Sequence, residues 1–120
     1  MNTIPNFHDT CHNRKDCKKF DTCPMTLVHK LISGKWKILI IWYLCGGVLR
    51  FSDLKKKLPN VTQKMLTNQL RSLEEDGLIY REVYPVFPPK VEYGLTELGQ
   101  NIAPMLKEMY KFGIIYSKNK

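Results

Sequence analysis

The chain has 120 residues, of which 43% are apolar and 25% charged, and its formal net charge is +8. This length suits one domain whose core forms without disulfides or a metal, and the composition argues against wholesale disorder. The most apolar run, Ile38–Leu49, is shorter than the roughly 18 residues that cross a bilayer, and residues 1–17 contain no stretch typical of a secretory signal. We therefore expect a cytoplasmic protein without a membrane segment, whose positive charge favours a polyanionic partner.

The N-terminal part of the chain divides into a polar segment and two helices. Residues 1–22 lack periodicity and are predicted to form a flexible extension, which leaves residues 23–120 as the domain. The first helix begins near Pro24 and carries Leu27 and Leu31 at helical spacing. The next segment, Lys35–Cys45, is apolar on nearly every side, which predicts a core helix with Cys45 as a small buried hydrophobe.

Two short helices joined by a tight turn are predicted next. Ser52 is a suitable N-cap for the first of them. Thr62 caps the second, and Gly77 closes it in a left-handed conformation. The second helix has an apolar stripe at i, i+4 and i+7 spacing, formed by Leu66, Leu70 and Leu73.

The hydrophobic period then changes from helical to alternating. Two strands are predicted over Leu78–Tyr84 and Val91–Leu95, separated by a proline-rich loop, and together they make a hairpin. Thr96 caps a final helical stretch in which Pro104 must kink or restart the helix. The order of elements predicts a mainly α fold with a small β-hairpin (α+β), namely a winged helix-turn-helix whose wing is the hairpin.

The second helix of such a motif enters the major groove of DNA. Its side chains opposite the leucine stripe can hydrogen-bond to base edges or phosphates, or contact the thymine methyl. The candidates for base contacts are Gln63, Lys64, Thr67, Asn68 and Arg71. Contacts to the DNA backbone are expected from the preceding helix and the wing, through Ser52, Lys55, Lys56, Lys57, Arg81 and Lys90.

At these residues the sequence resembles the HxlR family of bacterial winged-helix transcription regulators, which are MarR-like. The resemblance covers about Cys23–Tyr116 and is specific because its fragments occur in order at close spacing. One departure is Gly94, where many members carry Ser, and we expect no consequence from it. The fragments are Cys23-Pro24, Gly34-Lys35-Trp36-Lys37, Arg50-Phe51-Ser52-Asp53-Leu54, Thr62-Gln63-Lys64-Met65-Leu66-Thr67, Leu73-Glu74-Glu75-Asp76-Gly77-Leu78, Pro88-Pro89-Lys90-Val91-Glu92-Tyr93 and Leu95-Thr96-Glu97-Leu98-Gly99.

The resemblance implies a homodimer that binds palindromic operator DNA and represses or activates neighbouring genes. In this family the N-terminal and C-terminal helices form the dimer interface. The corresponding positions here are Leu27, Leu31, Met105, Met109, Phe112 and Tyr116. Two recognition helices about one helical turn of DNA apart also require a two-fold dimer.

The four cysteines, without an export signal, indicate free thiols in a reducing compartment. Cys23 precedes a helix that opens with Pro24, and a helix N-terminus lowers the pKa of a thiol. In members that the sequence resembles, a Cys at this place senses oxidants or electrophiles, so Cys23 is the candidate sensor and Cys11 and Cys17 are candidates to resolve it. A partly buried structural thiol is the alternative, and the cysteine spacing does not match a zinc site. No metal or cofactor is expected, and the effector is either an oxidant or a small molecule.

Two other classes of function compete with a DNA-binding regulator. A winged helix can dock on protein without reading DNA, since fold does not dictate function. A thiol-redox enzyme would use Cys11, Cys17 and Cys23, but the chain has no Cys-x-x-Cys pair. No pattern for acid-base or nucleophilic catalysis is present, and we do not expect an enzyme.

Overall fold

The computed structural model describes residues 23–119. The predicted extension over residues 1–22, with Cys11 and Cys17, lies outside the described residues. The boundary between two compact units falls between Ser33 and Gly34. The described part of the first unit holds helix α1 (Pro24–Leu31), with Cys23 as its N-cap and Pro24 in its first turn, as the sequence predicted.

The second unit contains the predicted motif. The fold is mainly helical with a small antiparallel sheet, which confirms the winged helix-turn-helix. Within residues 23–119, no helix is both long and apolar enough to cross a membrane. The elements are α2 (Lys37–Leu44), β1 (Leu49–Arg50), α3 (Phe51–Lys57), α4 (Gln63–Glu75), β2 (Ile79–Tyr84), β3 (Lys90–Leu95), α5 (Glu97–Gln100) and α6 (Ala103–Lys118).

The core of this unit lies where α2, α3 and α4 meet the sheet. The α2 helix contributes Ile40, Ile41 and Leu44, all of which are buried. Both apolar residues of the turn between α3 and α4, Leu58 and Val61, are also buried. Because burying a large aliphatic side chain contributes about 1.5–3 kcal/mol, these contacts fix the angle between the two helices of the motif.

Helix α3 starts two residues earlier than expected, and the prediction of Ser52 as its N-cap is wrong. Arg50 is the N-cap, and its backbone N–H donates to the Asp53 carboxylate at 3.1 Å. Asp53 therefore stands at the third helical position, from which a carboxylate reaches back to the N-cap. Ser52 is left exposed on the first turn.

The sheet has three strands in the order β1-β3-β2, whereas the sequence predicted only the β2–β3 hairpin. The strand β1 is two residues long and pairs Leu49 with Tyr93 and Arg50 with Glu92. Two residues are too few to show an alternating pattern, so no sequence signal marks this strand. The hairpin register pairs Tyr80 with Gly94.

The same pairing places the ring of Tyr80 against Gly94. A Cβ atom at Gly94 would lie 2.5 Å from Oη and 2.6 Å from Cζ of Tyr80. The Tyr80 ring therefore lies across the backbone of β3, in space that the Cβ of a serine would occupy. Gly94 therefore permits this position of the Tyr80 ring, and any larger residue would require the ring to move.

The C-terminal end of α4 has the predicted glycine stop. Gly77 has φ 78°, and the N–H of Leu78 donates to the carbonyl of Leu73 at 3.0 Å, as in a Schellman motif. The predicted cap at Thr96 is confirmed, since its hydroxyl accepts from Gly99 N–H at 3.0 Å. The same hydroxyl donates to the carbonyl of Gly77 at 2.6 Å, so the end of α4 and the start of α5 are tied together.

This junction leaves no room for a side chain at Gly99. A methyl group there would overlap the carbonyl oxygen of Leu78. Helix α5 then ends at Gln100, and Pro104 lies in the first turn of α6. The sequence predicted that Pro104 would either kink or restart the final helix, and the structure shows a restart.

We predict that Gly99→Ala lowers the free energy of unfolding by about 2–3 kcal/mol, because a backbone carbonyl must move to admit the methyl group. The measurement is urea denaturation at a fixed protein concentration. The control is Gly46→Ala, whose added Cβ would only meet the carbonyl of Tyr43 at 3.6 Å and should change stability by less than about 1 kcal/mol. Equal effects of the two substitutions would contradict the close approach at Gly99.

Candidate DNA interface

Helix α4 presents two distinct faces. Its N-cap is Thr62, whose hydroxyl accepts from Met65 N–H at 3.1 Å, as predicted. Leu66, Leu70 and Leu73 are buried on the inner face. On the outer face the five predicted base-contacting residues lie within the first three turns, with Thr67 half-buried and the others exposed: Gln63, Lys64, Asn68 and Arg71.

The back of α4 is fixed by polar groups whose role the sequence analysis missed. Lys37 of α2 is buried, with 8% of its surface exposed, and its Nζ donates to Ser72 Oγ at 2.7 Å. Gly34 lies against Gln69, because a Cβ at Gly34 would overlap Oε1 of that side chain. The only sequence signal was the Gly34-Lys35-Trp36-Lys37 fragment, which carried the resemblance but no predicted contact.

The three lysines of α3 do not have equal freedom. Lys55 Nζ donates to the carbonyl of Val61 at 3.4 Å and so braces the turn of the motif. Lys57 Nζ lies 5.4 Å from the ring centroid of Tyr43, a cation–π contact. Lys56 is exposed, and the described residues give it no hydrogen bond or ion pair.

The basic residues of the wing stand beside carboxylates. Arg81 Nε is 3.9 Å from Glu74, and Lys90 Nζ is 3.3 Å from Glu92. Lys90 also lies 4.9 Å from the ring centroid of Tyr84. These are partly exposed pairs of small net energy, so the ammonium and guanidinium groups can exchange partners.

The tip of the wing is apolar. Phe87 is 98% exposed and Val86 is exposed beside it, between the prolines of the loop. The two wing tyrosines have raised pKa values. For Tyr84 the main cause is its hydrogen bond with the Glu92 side chain, and for Tyr93 it is desolvation. A tyrosine is already neutral at pH 7 at its ordinary pKa of about 10, and an upward shift leaves it neutral, so lysine, arginine and carboxylate groups set the charge of this surface.

The predicted dimer residues carry apolar side chains that the described residues leave largely uncovered. In α1, Leu27 is exposed and Leu31 half-buried. In α6, Leu106 is buried, whereas the residues of the predicted stripe are exposed, with Phe112 at 64%. The exposed stripe consists of Met105, Met109, Phe112 and Tyr116, and a run of this kind marks an interaction surface.

Of the two described cysteines, Cys45 differs from expectation in its exposure to solvent. Cys23 is buried, with 8% of its surface exposed, at the N-cap of α1. Cys45 is exposed, and the prediction of a buried hydrophobe is wrong: α2 ends at Leu44, so Cys45 caps the helix beside Gly46 and Gly47 instead of pointing into the core. Among residues 23–119 no cluster of three or more metal-ligating side chains occurs.

Comparison with known proteins identifies the fold family. Residues 31–120 match the HxlR-like helix-turn-helix family model. The chain is 46% identical over 97 residues to the uncharacterized HTH-type transcriptional regulator YdeP of Bacillus subtilis, covering 81% of this chain and 76% of YdeP.

Two solved structures are similar in both sequence and fold. One is the redox regulator HypR in its oxidized form, with 44% identity and a TM-score of 0.73 over 76% of this chain and 94% of HypR. The other is the reduced form of the transcriptional regulator YodB of Bacillus subtilis, with 35% identity and a TM-score of 0.67 over 75% of this chain and 89% of YodB. These relatives are regulators and not enzymes. The family match over three quarters of the chain, on a winged helix-turn-helix, shows that the protein belongs to the HxlR-like family of helix-turn-helix transcriptional regulators.

Proposed function

We propose that this regulator binds a palindromic DNA operator as a homodimer, with α4 reading the major groove. The observation that carries the proposal is the two-faced α4 helix, whose leucine stripe is buried while Gln63, Asn68 and Arg71 are exposed on the opposite side. Gln and Asn pair with adenine, and Arg pairs with guanine through two hydrogen bonds. Residues 23–120 would form the regulatory domain and residues 1–22 its extension.

The surrounding basic groups would position the helix on the DNA backbone. Lys56 and Ser52 are exposed on α3, the helix that crosses the phosphates in this motif. Lys55 and Lys57 lie next to them, and their ammonium groups are only weakly held by a carbonyl and a ring. On the wing, Arg81 and Lys90 would contact phosphates by exchanging Glu74 and Glu92 for DNA oxygens.

The operator can be found by selecting bound duplexes from a random DNA pool under reducing conditions. We expect enrichment of an inverted repeat with half-sites about ten base pairs apart. Retention of DNA without enrichment, or no retention, would contradict sequence-specific reading and favour a protein-binding module.

Substitutions on α4 test the assigned helix. Arg71→Ala and Gln63→Ala should each weaken binding to the selected operator by roughly 5- to 150-fold, the effect of losing one base contact, without changing the circular dichroism spectrum. Lys118→Ala, which also removes one positive charge, is the control and should leave affinity within about twofold. Unchanged affinity in both α4 variants would remove this helix from the interface.

Dimerisation is proposed through the apolar stripe of α6. Phe112 is 64% exposed and its ring lies 6.3 Å from that of Tyr116, so a second copy of the helix would find a continuous aromatic surface. A dimer of this kind removes from water a surface that is unusual on a monomer. In α1, Leu27 and Leu31 are proposed as further contacts.

Sedimentation equilibrium tests this surface. Phe112→Asp should raise the dimer dissociation constant at least 100-fold, because it places a carboxylate in an apolar contact. Lys111→Asp puts the same group one residue earlier on α6, away from the stripe, and should remain dimeric. A dimer of unchanged affinity in Phe112→Asp would place the interface elsewhere.

Cys23 is proposed as an oxidant-sensing thiol. It lies at the N-cap of an eight-residue helix, and the similar proteins include a redox regulator and a regulator solved in reduced and diamide-treated forms. On oxidation the Cys23 thiol and a thiol of the second subunit would lose two electrons and two protons to the oxidant, forming one S–S bond. Cys11 and Cys17 are the proposed alternatives for resolving an oxidised Cys23.

Diamide, which accepts the two electrons and two protons, supplies the test. After treatment, wild type and Cys45→Ser should run at twice the monomer mass on a non-reducing gel, and Cys23→Ser should run at the monomer mass. Operator affinity should change at least fivefold on oxidation in the first two proteins only. Cross-linking of Cys23→Ser to the wild-type extent would exclude Cys23 as the cross-linking thiol, and a wild-type operator affinity that oxidation leaves unchanged would exclude it as the sensor.

A further inference from the structure

A cavity of about 940 Å³ lies within the second unit, between the end of α2, the β2–β3 ladder and the start of α6. It is open to solvent on one side. Its volume falls in the range of small-molecule sites, roughly 300–1,000 Å³. None of the roles assigned to α4, the wing or the α6 stripe uses this space.

The cavity wall is aromatic and carries one formal charge. Trp42, Tyr43 and Tyr80 line it, and Lys107 is the only charged residue among its lining residues, which include no Asp or Glu. Trp42 is held from behind by Tyr110, with ring centroids 5.2 Å apart in a stacked arrangement. The wall therefore combines an aromatic surface with one cationic side chain among its lining residues.

The Tyr80 ring reaches this wall because of Gly94. Both residues line the cavity, and any Cβ at Gly94 would collide with the ring. Gly94 is therefore what permits the Tyr80 ring to stand on the aromatic side of the cavity. This links a feature of the present sequence to the shape of the site.

Lys107 is separated from the proposed dimer stripe by the geometry of α6. It follows Met105 by two positions and precedes Met109 by two, a rotation of about 200° around the helix axis. Covering the stripe with a second copy would leave the Lys107 face of α6 uncovered.

We propose that this cavity binds a small planar aromatic carboxylate, with its ring against Tyr80 and Trp42 and its carboxylate paired with Lys107. Aromatic pairs contribute about 0.5–1.5 kcal/mol beyond the area they bury. A single lysine, with no carboxylate among the lining residues, favours one negative charge, and Gln100 adds a neutral hydrogen-bonding group. A neutral aromatic compound would lose the ion pair, and an aromatic cation would be repelled.

The exposed Cys45 thiol lines the same cavity and serves as the reporter. Desolvation raises the pKa of this thiol, so the thiolate that iodoacetamide alkylates forms at a higher pH than in an ordinary cysteine. The rate of alkylation is therefore best measured near pH 9. Mass spectrometry of the peptides separates Cys45 from the other three cysteines. The test requires no DNA, so it fails or succeeds independently of the proposed operator binding.

We expect 2-naphthoate at saturation to slow alkylation of Cys45 at least fivefold, and 2-naphthamide at the same concentration to give less than a twofold effect. Lys107→Gln should abolish the difference between the two compounds, whereas Lys111→Gln, one turn further along α6, should preserve it. Gly94→Ser should weaken naphthoate binding at least tenfold by calorimetry.

Four results would overturn the assignment. Equal protection by naphthoate and naphthamide would exclude a carboxylate site, and so would unchanged selectivity in Lys107→Gln. Absence of protection at millimolar naphthoate would exclude binding. A Cys45 that is unreactive in the ligand-free protein would mean that the cavity is closed in solution.

Discussion

The burial of one side of α4 is the constraint on which the rest of the second unit depends. Leu66, Leu70 and Leu73 occupy the core. Because their packing prevents α4 from rotating about its axis, the opposite face of the helix stays exposed to solvent. The Lys37–Ser72 hydrogen bond adds direction to this packing. A buried ammonium is costly unless it is hydrogen-bonded. The arrangement of α2 against α4 that allows the Lys37–Ser72 hydrogen bond is therefore favoured over arrangements that would leave the ammonium without this partner.

The same helix also sets the direction of everything that follows it. Its end at Gly77 is tied through Thr96 to the start of α5, and Gly99 lets α5 approach the backbone of Leu78. The strands of the wing leave from this junction and return to it. The recognition surface and the wing therefore share one anchor, and a change at Gly99, although remote from the outer face of α4, is expected to affect both.

Much of this architecture could be predicted because it follows from local chemistry. The leucine stripe, the cap at Thr62 and the left-handed Gly77 each depend on residues within one or two turns of the helix. Misassigned features depend on groups distant in sequence or on a shift of one or two positions along the chain. The cap of α3 moved from Ser52 to Arg50 because the Asp53 carboxylate competes for the backbone donor, and Cys45 is exposed because α2 ends one residue before it. The burial of Lys37 depends on Ser72, 35 residues away, and sequence patterns such as helical spacing cannot predict a contact between residues so far apart.

The two-residue strand β1 has a consequence for how copies of this protein can associate. By pairing with β3 it places that strand in the middle of the sheet, which leaves β2 as the long outer edge. An open edge is a template for strand addition by another chain, and charged residues at the edge oppose it. The middle of β2 presents Arg81 and Glu82, both exposed, so edge-to-edge pairing of two sheets would desolvate charges. Self-association through backbone hydrogen bonds at the edge of β2 is therefore disfavoured. Association of two copies through the apolar surface of α6 has the lower desolvation cost.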